Sequence, residues 1–403
     1  MSTSLLYHAF GLRGYRYVSA SYLEGQVVFQ VEANREHFRC PVCGAKEVIR
    51  RGCVQRVFRS LPIGGRGVLI GVEIPRLGCA CGAVRQMELG FAEPLRRHTK
   101  AFARYALDLS RHMTIKDVAE HLQVSWDTIK EIQRQDLQRR FGRPQLKHLR
   151  QLAIDEISIG KGHRYLTVVL DLESGAVVFV GEGKGAEALL PFWRRLRASH
   201  ARIEAVAIDM SPAYIGAVRD HLPDAVIVFD HFHIIKLMNE KLSELRREMY
   251  REATDKLHKD VLKGTRWLLL KNPENLDPQR NERQRLQEAL RLNQPLATAY
   301  YLKEDLRQIW EQPHKTAAWN FLTSWYLRAM DSGIRLLQQF AKTLKFHAWG
   351  ILAWYDYPIS TGPLEGTNNK IKTMQRQAYG FRDQQFFKLK IYGIHETKYA
   401  LVG

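Results

Sequence analysis

The middle of the chain reads Leu152-Ala153-Ile154-Asp155, Val206-Ala207-Ile208-Asp209 and Ile227-Val228-Phe229-Asp230. Each stretch is a short apolar run that ends on an aspartate, which is typical of a strand buried on both faces of a sheet. Carboxylates at the ends of such strands lie where ligands gather in open α/β sheets, and hard divalent cations prefer oxygen ligands. A fourth acid, Glu365, lies far downstream. The pattern predicts a metal-dependent phosphoryl-transfer site.

Helix capping offers an alternative explanation for these aspartates. Asp is a favoured N-cap residue, so a strand-to-helix junction often carries one for structural reasons alone. This alternative is strongest for Asp230, because the residues after it have the apolar spacing of a helix. Three such aspartates in one region make a shared catalytic site an equal or better explanation.

The order of predicted elements between residues 150 and 235 indicates the fold class. Three strands come first, and the second and third form a hairpin that turns at Glu173-Ser174-Gly175. A helix, a fourth strand, a second helix and a fifth strand follow. Three antiparallel strands followed by two helix-linked parallel strands are the ribonuclease H-like arrangement. We therefore predict an α/β core of this class with a mixed five-stranded sheet.

Helical periodicity dominates from about Phe232 to Ala353, with Lys, Arg and Glu on the outer faces. A region of this size predicts a large helical insertion into the core. Its tryptophans are expected to pack inside the insertion rather than to form a base-stacking platform. These tryptophans are Trp267, Trp310, Trp319 and Trp325.

Charge is distributed unevenly along the 403 residues, whose formal net charge is +19. Residues 1–150 hold 25 Lys and Arg against 13 Asp and Glu, residues 151–365 hold 29 against 27, and residues 366–403 hold 7 against 2. Basic ends around a balanced middle favour a polyanion as partner, because Lys and Arg neutralise phosphates. No apolar run approaches the ~18 residues of a membrane span, and the start lacks the features of a signal peptide. We expect no membrane partner and a cytoplasmic protein, associated with the nucleoid when bound to DNA.

Four of the five cysteines form two close pairs, Cys40 with Cys43 and Cys79 with Cys81. Two thiolate pairs separated by a strand-rich stretch suit a tetrahedral structural zinc site. Cys53 stands outside both pairs and is expected to be a buried or incidental thiol. Around these pairs, residues 1–95 alternate β-like runs with the cysteine turns, which predicts a zinc ribbon with an N-terminal extension.

A helix-turn-helix is predicted after the zinc ribbon. Thr114 and Ser125 are the expected N-caps of two helices, separated by a turn at Gln123-Val124. An ordinary helical hairpin is the alternative, but the small Ala119 at the crossing and the cationic outer face favour DNA binding. The side chains expected to point outward to DNA are Trp126, Thr128, Lys130, Gln133 and Arg134.

Five segments follow from these patterns. We assign 1–95 to the zinc-binding domain, 96–148 to the helix-turn-helix, 149–231 to the first part of the core, 232–355 to the helical insertion and 356–403 to the C-terminal part of the core with Glu365.

Several blocks of the sequence occur together with the helix-turn-helix. They are Cys40-Pro41-Val42-Cys43-Gly44, Ala153-Ile154-Asp155-Glu156, Ala207-Ile208-Asp209-Met210, Asp230-His231-Phe232-His233, Leu364-Glu365-Gly366-Thr367-Asn368-Asn369-Lys370-Ile371-Lys372 and Gln377-Ala378-Tyr379-Gly380-Phe381. Over most of the chain this layout resembles the ISL3 family of bacterial insertion-sequence transposases. The block around Glu365 is the longest and the most specific.

The resemblance implies a DDE recombinase in which Asp155, Asp209 and Glu365 hold two Mg²⁺ (or Mn²⁺) ions. Two cations about 3.5–4 Å apart can activate the attacking oxygen and stabilise the leaving oxygen of an in-line displacement. Asp230 and His233 resemble an Asp/Cys-x-x-His element of related transposases, which implies a supporting role. The implied partners are double-stranded DNA, as terminal inverted repeats and target, and a second copy of the chain in the DNA complex.

The residues after Glu365 are expected to contact DNA. If Glu365 begins a helix, Asn368, Asn369 and Lys372 follow on the same side at one-turn spacing. Lys370 can then join Lys372 in holding phosphates of the scissile strand, as can Arg376.

Two other functions compete with transposition. A ribonuclease H-like, structure-specific nuclease would cut DNA without joining it and would not need terminal repeats. A transposase-derived DNA-binding regulator would keep the fold without the chemistry, although all three candidate acids are intact.

Overall fold

A computed structural model describes residues 5–160, 162–254, 256–397, 399 and 401. The chain divides into two compact units. The terminal unit comprises Met1–Arg143 and Thr373–Gly403, and the core unit comprises Pro144–Lys372.

A five-stranded sheet forms the first part of the terminal unit. A short helix, α1 (Leu5–Phe10), comes before the sheet. The strands are β1 (Tyr15–Leu23), β2 (Gln26–Ala33), β3 (Val48–Ile63), β4 (Arg66–Cys79) and β5 (Val84–Gln86). The strand order is β1-β2-β4-β3, with β5 paired to β4; β2 and β4 run parallel and the other pairs antiparallel. Val68, Ile70 and Val72 alternate along β4 and are fully buried, because residues two apart share a face of a strand.

Three helices follow: α2 (Lys100–Leu109), α3 (Ile115–His121) and α4 (Trp126–Phe141). Thr114 and Asp117 form a reciprocal capping box at the start of α3, and the Ser125 side chain accepts from the Thr128 N–H at the start of α4. The predicted helix-turn-helix and both predicted caps are therefore confirmed.

The core unit contains the second sheet. Its strands are β6 (Gln151–Gly160), β7 (Arg164–Asp171), β8 (Val177–Glu182), β9 (Ala205–Ile208) and β10 (Val226–Phe229). Their order is β10-β9-β6-β7-β8; β10, β9 and β6 pair in parallel, whereas β6-β7 and β7-β8 pair antiparallel. This is the predicted ribonuclease H-like arrangement.

Helices connect and cover this sheet. They are α5 (Leu190–Ser199), α6 (Pro212–His221), α7 (His231–Glu252), α8 (Lys256–Gly264), α9 (Glu282–Leu292), α10 (Gln294–Arg307), α11 (Lys315–Asp331), α12 (Arg335–Phe346), α13 (Ala348–Leu352) and α14 (Gly362–Gln377). The inserted helices share one hydrophobic core with the sheet. No helix of the described ranges is both long and apolar enough to cross a membrane.

The tryptophans of the insertion are not all in its core. Trp325 is fully buried, and its indole N–H donates to the Leu302 carbonyl at 2.8 Å. Trp267 and Trp319 are 65% and 50% exposed, so the prediction that they are core residues was wrong. Trp319 follows Ala318, which belongs to the buried stripe of α11, and therefore lies off that stripe.

The last helix, α15 (Gln384–Tyr392), belongs to the terminal unit. Phe386 and Leu389 on α15 are buried in the same hydrophobic cluster as Val118 and Ile129 of the helix-turn-helix. The sequence prediction placed residues 356–403 as a whole with the catalytic core, and from Thr373 onward the structure differs. The physical reason is the apolar face of α15, which completes the helix-turn-helix core.

Phe386→Ala is therefore expected to destabilise the helix-turn-helix by about 3–5 kcal/mol, since it leaves a cavity in that core. Thermal unfolding followed by circular dichroism would measure the change. Gln385→Ala, at an exposed position of the same helix, should change stability by less than about 0.5 kcal/mol. Equal melting temperatures for Phe386→Ala and the parent would contradict this role of α15.

Candidate active site

Asp155 lies within β6, whereas the sequence had predicted it at the strand end. The parallel pairing of β6 with β9 stops at Ala153, but its antiparallel pairing with β7 continues to Gly160. The strand therefore extends beyond Asp155 as half of a hairpin. Asp155 lies two residues after Ala153, the last residue of β6 that is paired on both sides.

The Asp155 carboxylate is half-buried and close to other charged groups. Burial raises the pKa of Asp155, and the nearby Asp209 carboxylate raises it further, while the positive charge of His233 opposes this rise. One carboxylate oxygen accepts a hydrogen bond from the Asn368 amide at 2.9 Å. Asp155 is thus a poorly solvated anion that a cation would stabilise.

Asp209 follows β9 directly, as predicted. Its Oδ1 accepts the Ser211 backbone N–H at 3.0 Å, in the turn that leads into α6. Burial is the main cause of the raised pKa of Asp155, and the Asp209 charge raises it further. The hydrogen bond to Asp230 is the main cause of the raised pKa of His233, and the Asp209 charge again adds to it. Asp155, Asp209 and His233 therefore belong to one electrostatic site.

Asp230 is the N-cap of α7, as the capping alternative predicted. Its side chain is buried and accepts from the backbone N–H of His233 at 3.4 Å, the Nδ1 of His233 at 3.2 Å and the backbone N–H of Thr361 at 3.1 Å. Burial alone would raise the pKa of Asp230, but these hydrogen bonds lower it below its usual value. The hydrogen bond between the Asp230 carboxylate and the His233 ring raises the pKa of His233.

Glu365 lies in the first turn of α14, which begins at Gly362-Pro363 as predicted. Its backbone N–H donates to the Thr361 carbonyl at 2.8 Å, and its side chain is half-buried. Asn368, one turn later, is only 5% exposed and donates to Asp155. The Asn368 amide is thus turned toward Asp155, and its contact with DNA stays a prediction.

The other predicted contacts on α14 are exposed: Asn369, Lys370, Lys372 and Arg376. Arg376 also donates to the Thr373 hydroxyl at 3.4 Å. Exposure leaves these side chains accessible to a phosphate backbone.

Glu156 is separated from the site although it adjoins Asp155. Neighbouring side chains of a strand point to opposite faces. The Glu156 carboxylate accordingly accepts the Tyr214 hydroxyl at 2.7 Å. Tyr214 is a partner that the sequence had not indicated.

The four paired cysteines form a metal-binding cluster. Their sulfur atoms all lie within 4.8 Å of one another, with Cys40 and Cys81 at 3.7 Å and Cys43 and Cys79 at 3.5 Å. Among the residues that the structure describes, no other set of three or more Cys, His, Asp or Glu ligands is so close together. Asp155, Asp209 and Glu365 do not form such a group.

Glycines shape both cysteine turns. Gly44 and Gly82 have φ of 74° and 85°, and each donates its N–H to the carbonyl of the first cysteine of its pair. Backbone N–H groups, led by that of Cys43, lower the pKa of Cys40 to about 6 and so favour the thiolate. Four thiols in this geometry form a structural zinc site. Cys53 is exposed and outside the cluster, so it is incidental rather than buried.

The predicted contacts on α4 differ in accessibility. Trp126 is 46% exposed and Thr128 is half-buried, whereas Gln133 is 1% exposed. The prediction that Gln133 points outward was wrong, because it lies one turn after Ile129 on the buried face of the helix.

Lys130 and Arg134 share an acidic partner, Asp383, that the sequence prediction missed. Lys130 Nζ lies 3.0 Å from the Asp383 carboxylate, and Arg134 also donates to it. Asp383 caps α15 by accepting the Phe386 N–H at 3.0 Å. Burial would raise the pKa of Asp383, but this bond and the two cations lower it to about 2. Only the cap could have been inferred from sequence, since Asp is a common N-cap.

Three family models match the chain. A transposase model matches residues 152–391, the helix-turn-helix domain of transposase family ISL3 matches residues 87–135, and the zinc-finger of transposase IS204/IS1001/IS1096/IS1165 matches residues 36–81.

Individual relatives agree with these models. The transposase for insertion sequence element IS1001 of Bordetella parapertussis is 37% identical over 357 residues, covering 87% of each chain. The transposase for insertion sequence element IS1557 of Mycobacterium tuberculosis (strain CDC 1551 / Oshkosh) is 30% identical over 374 residues, covering 86% of this chain and 83% of the relative. The Drosophila P element transposase strand transfer complex superposes with a TM-score of 0.40 at 11% identity, over 74% of this chain and 92% of that chain. The transposase model covers more than half of the sequence, and the chain belongs to the ISL3 family of insertion-sequence transposases.

Proposed function

We propose that this DDE transposase uses Asp155, Asp209 and Glu365 as its catalytic acids to cleave DNA at the ends of an insertion sequence and to join those ends to target DNA. The observation that carries the proposal is the hydrogen bond between Asn368 and Asp155. It ties the first two turns of α14, which include Glu365, to the strand beside Asp209. Residues three apart lie on the same side of a helix, so this bond supports a place for Glu365 at the edge of the core sheet that holds Asp155 and Asp209.

Mg²⁺ or Mn²⁺ fits the groups at this edge. Asp155 and Asp209 supply hard oxygen atoms, and Glu365 is the proposed third acid. The Asn368 Oδ1 is buried and has no hydrogen-bond partner among the described residues, so it adds a further unsatisfied oxygen atom beside Asp155. When bound there, two cations would activate the attacking oxygen and stabilise the leaving oxygen of an in-line displacement.

Asp230 and His233 support this site in the proposal. Asp230 joins the N-terminus of α7 to Thr361, the residue just before α14, through a buried hydrogen bond. That bond restrains the start of the helix that carries Glu365. The hydrogen bond to Asp230 raises the pKa of His233, which favours the protonated form of this side chain near Asp155 and Asp209.

DNA is the partner that the helix-turn-helix and the charge of the terminal unit support. This unit holds 28 Lys and Arg against 15 Asp and Glu, a larger excess than that of the core unit. We assign recognition of the terminal inverted repeats to α4, and contact with the scissile strand to the exposed cations of α14.

Two ends of one element take part in transposition, so we expect a homodimer in the DNA complex, working on the nucleoid in the cytoplasm. Light scattering with end DNA would measure the number of chains. A complex that contains one chain would contradict the dimer.

Strand transfer distinguishes this function from its two competitors. The purified chain should be incubated in Mg²⁺ with donor DNA that carries the inverted repeats flanking its gene, together with a supercoiled target. We expect cleavage at the repeats and covalent joining to the target. Cleavage without joining would support the nuclease, and binding without cleavage would support the regulator.

Lys130→Ala and Arg134→Ala should each weaken binding to repeat DNA. The plot of the logarithm of the binding constant against the logarithm of the salt concentration, whose gradient we call the salt slope, should become shallower by about 0.9 for each phosphate that is no longer neutralised. The Asp383→Asn variant should have the opposite effect on binding. Asparagine is still a good N-cap, but the variant lacks the carboxylate that competes with DNA for Lys130 and Arg134. It should bind more tightly. Fluorescence anisotropy over a range of salt concentrations would measure all three variants, and unchanged affinity in all of them would refute a DNA-binding role for this face of α4.

A further inference from the structure

A groove lies beside α4 within the terminal unit. One side is formed by the N-terminal half of α4, and the other by the end of β3 and the loop before α2. Five cations line it, and we call it the arginine groove: Arg59, Arg96, Arg97, Lys130 and Arg134. Three of these arginines lie outside the helix-turn-helix contacts that the sequence had indicated.

The loop side of the groove is held in place by backbone hydrogen bonds. The Arg59 N–H donates to the Arg97 carbonyl at 2.8 Å, and the Thr99 N–H donates to the Arg59 carbonyl at 2.8 Å. The Arg56 guanidinium also donates to the Arg96 carbonyl at 2.7 Å. The loop is thus joined to the zinc-bearing sheet on one side and leads into α2 on the other.

Arg59 and Arg97 lack acidic partners among the described residues. Arg59 is half-buried and donates to the Leu122 carbonyl at 2.8 Å, at the turn of the helix-turn-helix. Its Nε is buried without a hydrogen-bond partner, and burial lowers the pKa of this guanidinium. The Arg97 side chain is exposed. Both cations would gain from an anion in the groove.

Acidic groups offset only part of the charge. Glu131 pairs with Arg96 at 3.3 Å, Asp127 lies on the same wall, and Asp383 pairs with Lys130 and Arg134. His98, also in the lining, has its pKa lowered by burial and adds no charge at neutral pH. Five cations against three carboxylates leave the groove positive.

We propose that the arginine groove binds one sugar–phosphate strand of double-stranded DNA alongside the recognition helix α4. A helix that enters the major groove is flanked by the backbone, and arginines are suited to phosphate because their donors form a planar fork. The zinc-bearing sheet contributes Arg59 and the linking loop contributes Arg97, so both modules hold the same strand. Such contacts set position and affinity without reading sequence.

This inference rests on the proposed binding of DNA by the helix-turn-helix, and Arg97 provides its test. Full-length Arg97→Ala, loaded with zinc, should be compared with the parent on a repeat duplex and on a scrambled duplex of equal length. Affinity should fall by the same factor on both duplexes, and the salt slope should fall by about 0.9. Arg97→Lys should retain most of the slope because it retains the charge.

Arg85→Ala is the control for a general loss of positive charge. Arg85 is exposed on β5 and pairs with Leu77 of β4, whereas Arg59 of β3 pairs with Leu69 of β4. Leu69 and Leu77 are eight residues apart on one strand, so the two arginines lie about 26 Å apart along β4. Its affinity and slope should equal those of the parent.

Three results would overturn the inference. They are an unchanged slope for Arg97→Ala, a loss confined to the repeat duplex, and an equal loss for Arg85→Ala. A parent chain that binds neither duplex would instead refute the proposed function itself, and the groove with it.

Discussion

Glu365→Gln, Asp155→Asn and Asp209→Asn are each expected to bind repeat DNA as the parent does and to lose strand cleavage in Mg²⁺ by several orders of magnitude. Removal of one metal-binding carboxylate costs several kcal/mol of transition-state stabilisation, and about 1.4 kcal/mol corresponds to a tenfold change in rate. Binding should persist because the cations proposed to hold DNA are unchanged. Single-turnover cleavage of an end-labelled repeat duplex would give the rates, and anisotropy would give the affinities.

Two neighbouring acids supply the controls for these variants. Asp230→Asn should keep measurable cleavage, because asparagine can still cap α7 and accept the Thr361 N–H. Glu156→Gln should also cleave, because Glu156 faces Tyr214 rather than the site. If Glu365→Gln cleaves nearly as well as the parent while Asp230→Asn is inactive, the third acid is Asp230 and the proposal is wrong.

Cys43→Ser should release most of the zinc and disrupt the cysteine-bearing end of the first sheet, with loss of repeat binding. Metal binding contributes to the free energy of folding, with apparent values of about 10–16 kcal/mol for small zinc peptides. The core unit, whose hydrophobic cluster is made of other residues, should remain folded. Elemental analysis would measure zinc per chain, and limited proteolysis would locate the disrupted region.

Cys53→Ser is the matched control for that variant. Cys53 is exposed on β3 and lies outside the sulfur cluster, so its replacement should leave zinc content and repeat binding unchanged. Full zinc content in Cys43→Ser, or equal losses in both variants, would refute the assignment of Cys43 as a ligand.

Local patterns predicted much of the fold because they are set by neighbours in the chain. The three apolar runs became the parallel strands β6, β9 and β10, and the caps Thr114 and Ser125 begin α3 and α4. These features depend on hydrophobic periodicity and on side chains that bond to backbone two or three residues away.

The errors arose where distant residues decide the outcome. The sequence predicted Asp155 at a strand end because the apolar run stops there. It could not show that pairing with β7 extends β6 from Asp155 to Gly160. Gln133 is polar but lies on the buried face of α4. The bond between Asn368 and Asp155 was missed because the two residues are 213 positions apart in the sequence. The roles of the three acids stay predictions until cleavage is measured.

The packing of α15 in the helix-turn-helix core has a consequence for the timing of synthesis. The ribosome completes α4 at Phe141 roughly 245 residues before it adds Phe386. At roughly 5–20 residues per second, this interval lasts about 12–50 s. A nascent or prematurely terminated chain lacks the side chains that close the core, so we expect it to compete poorly for transposon ends. Occupation of the ends would then be reserved for translation products that already contain the whole catalytic domain.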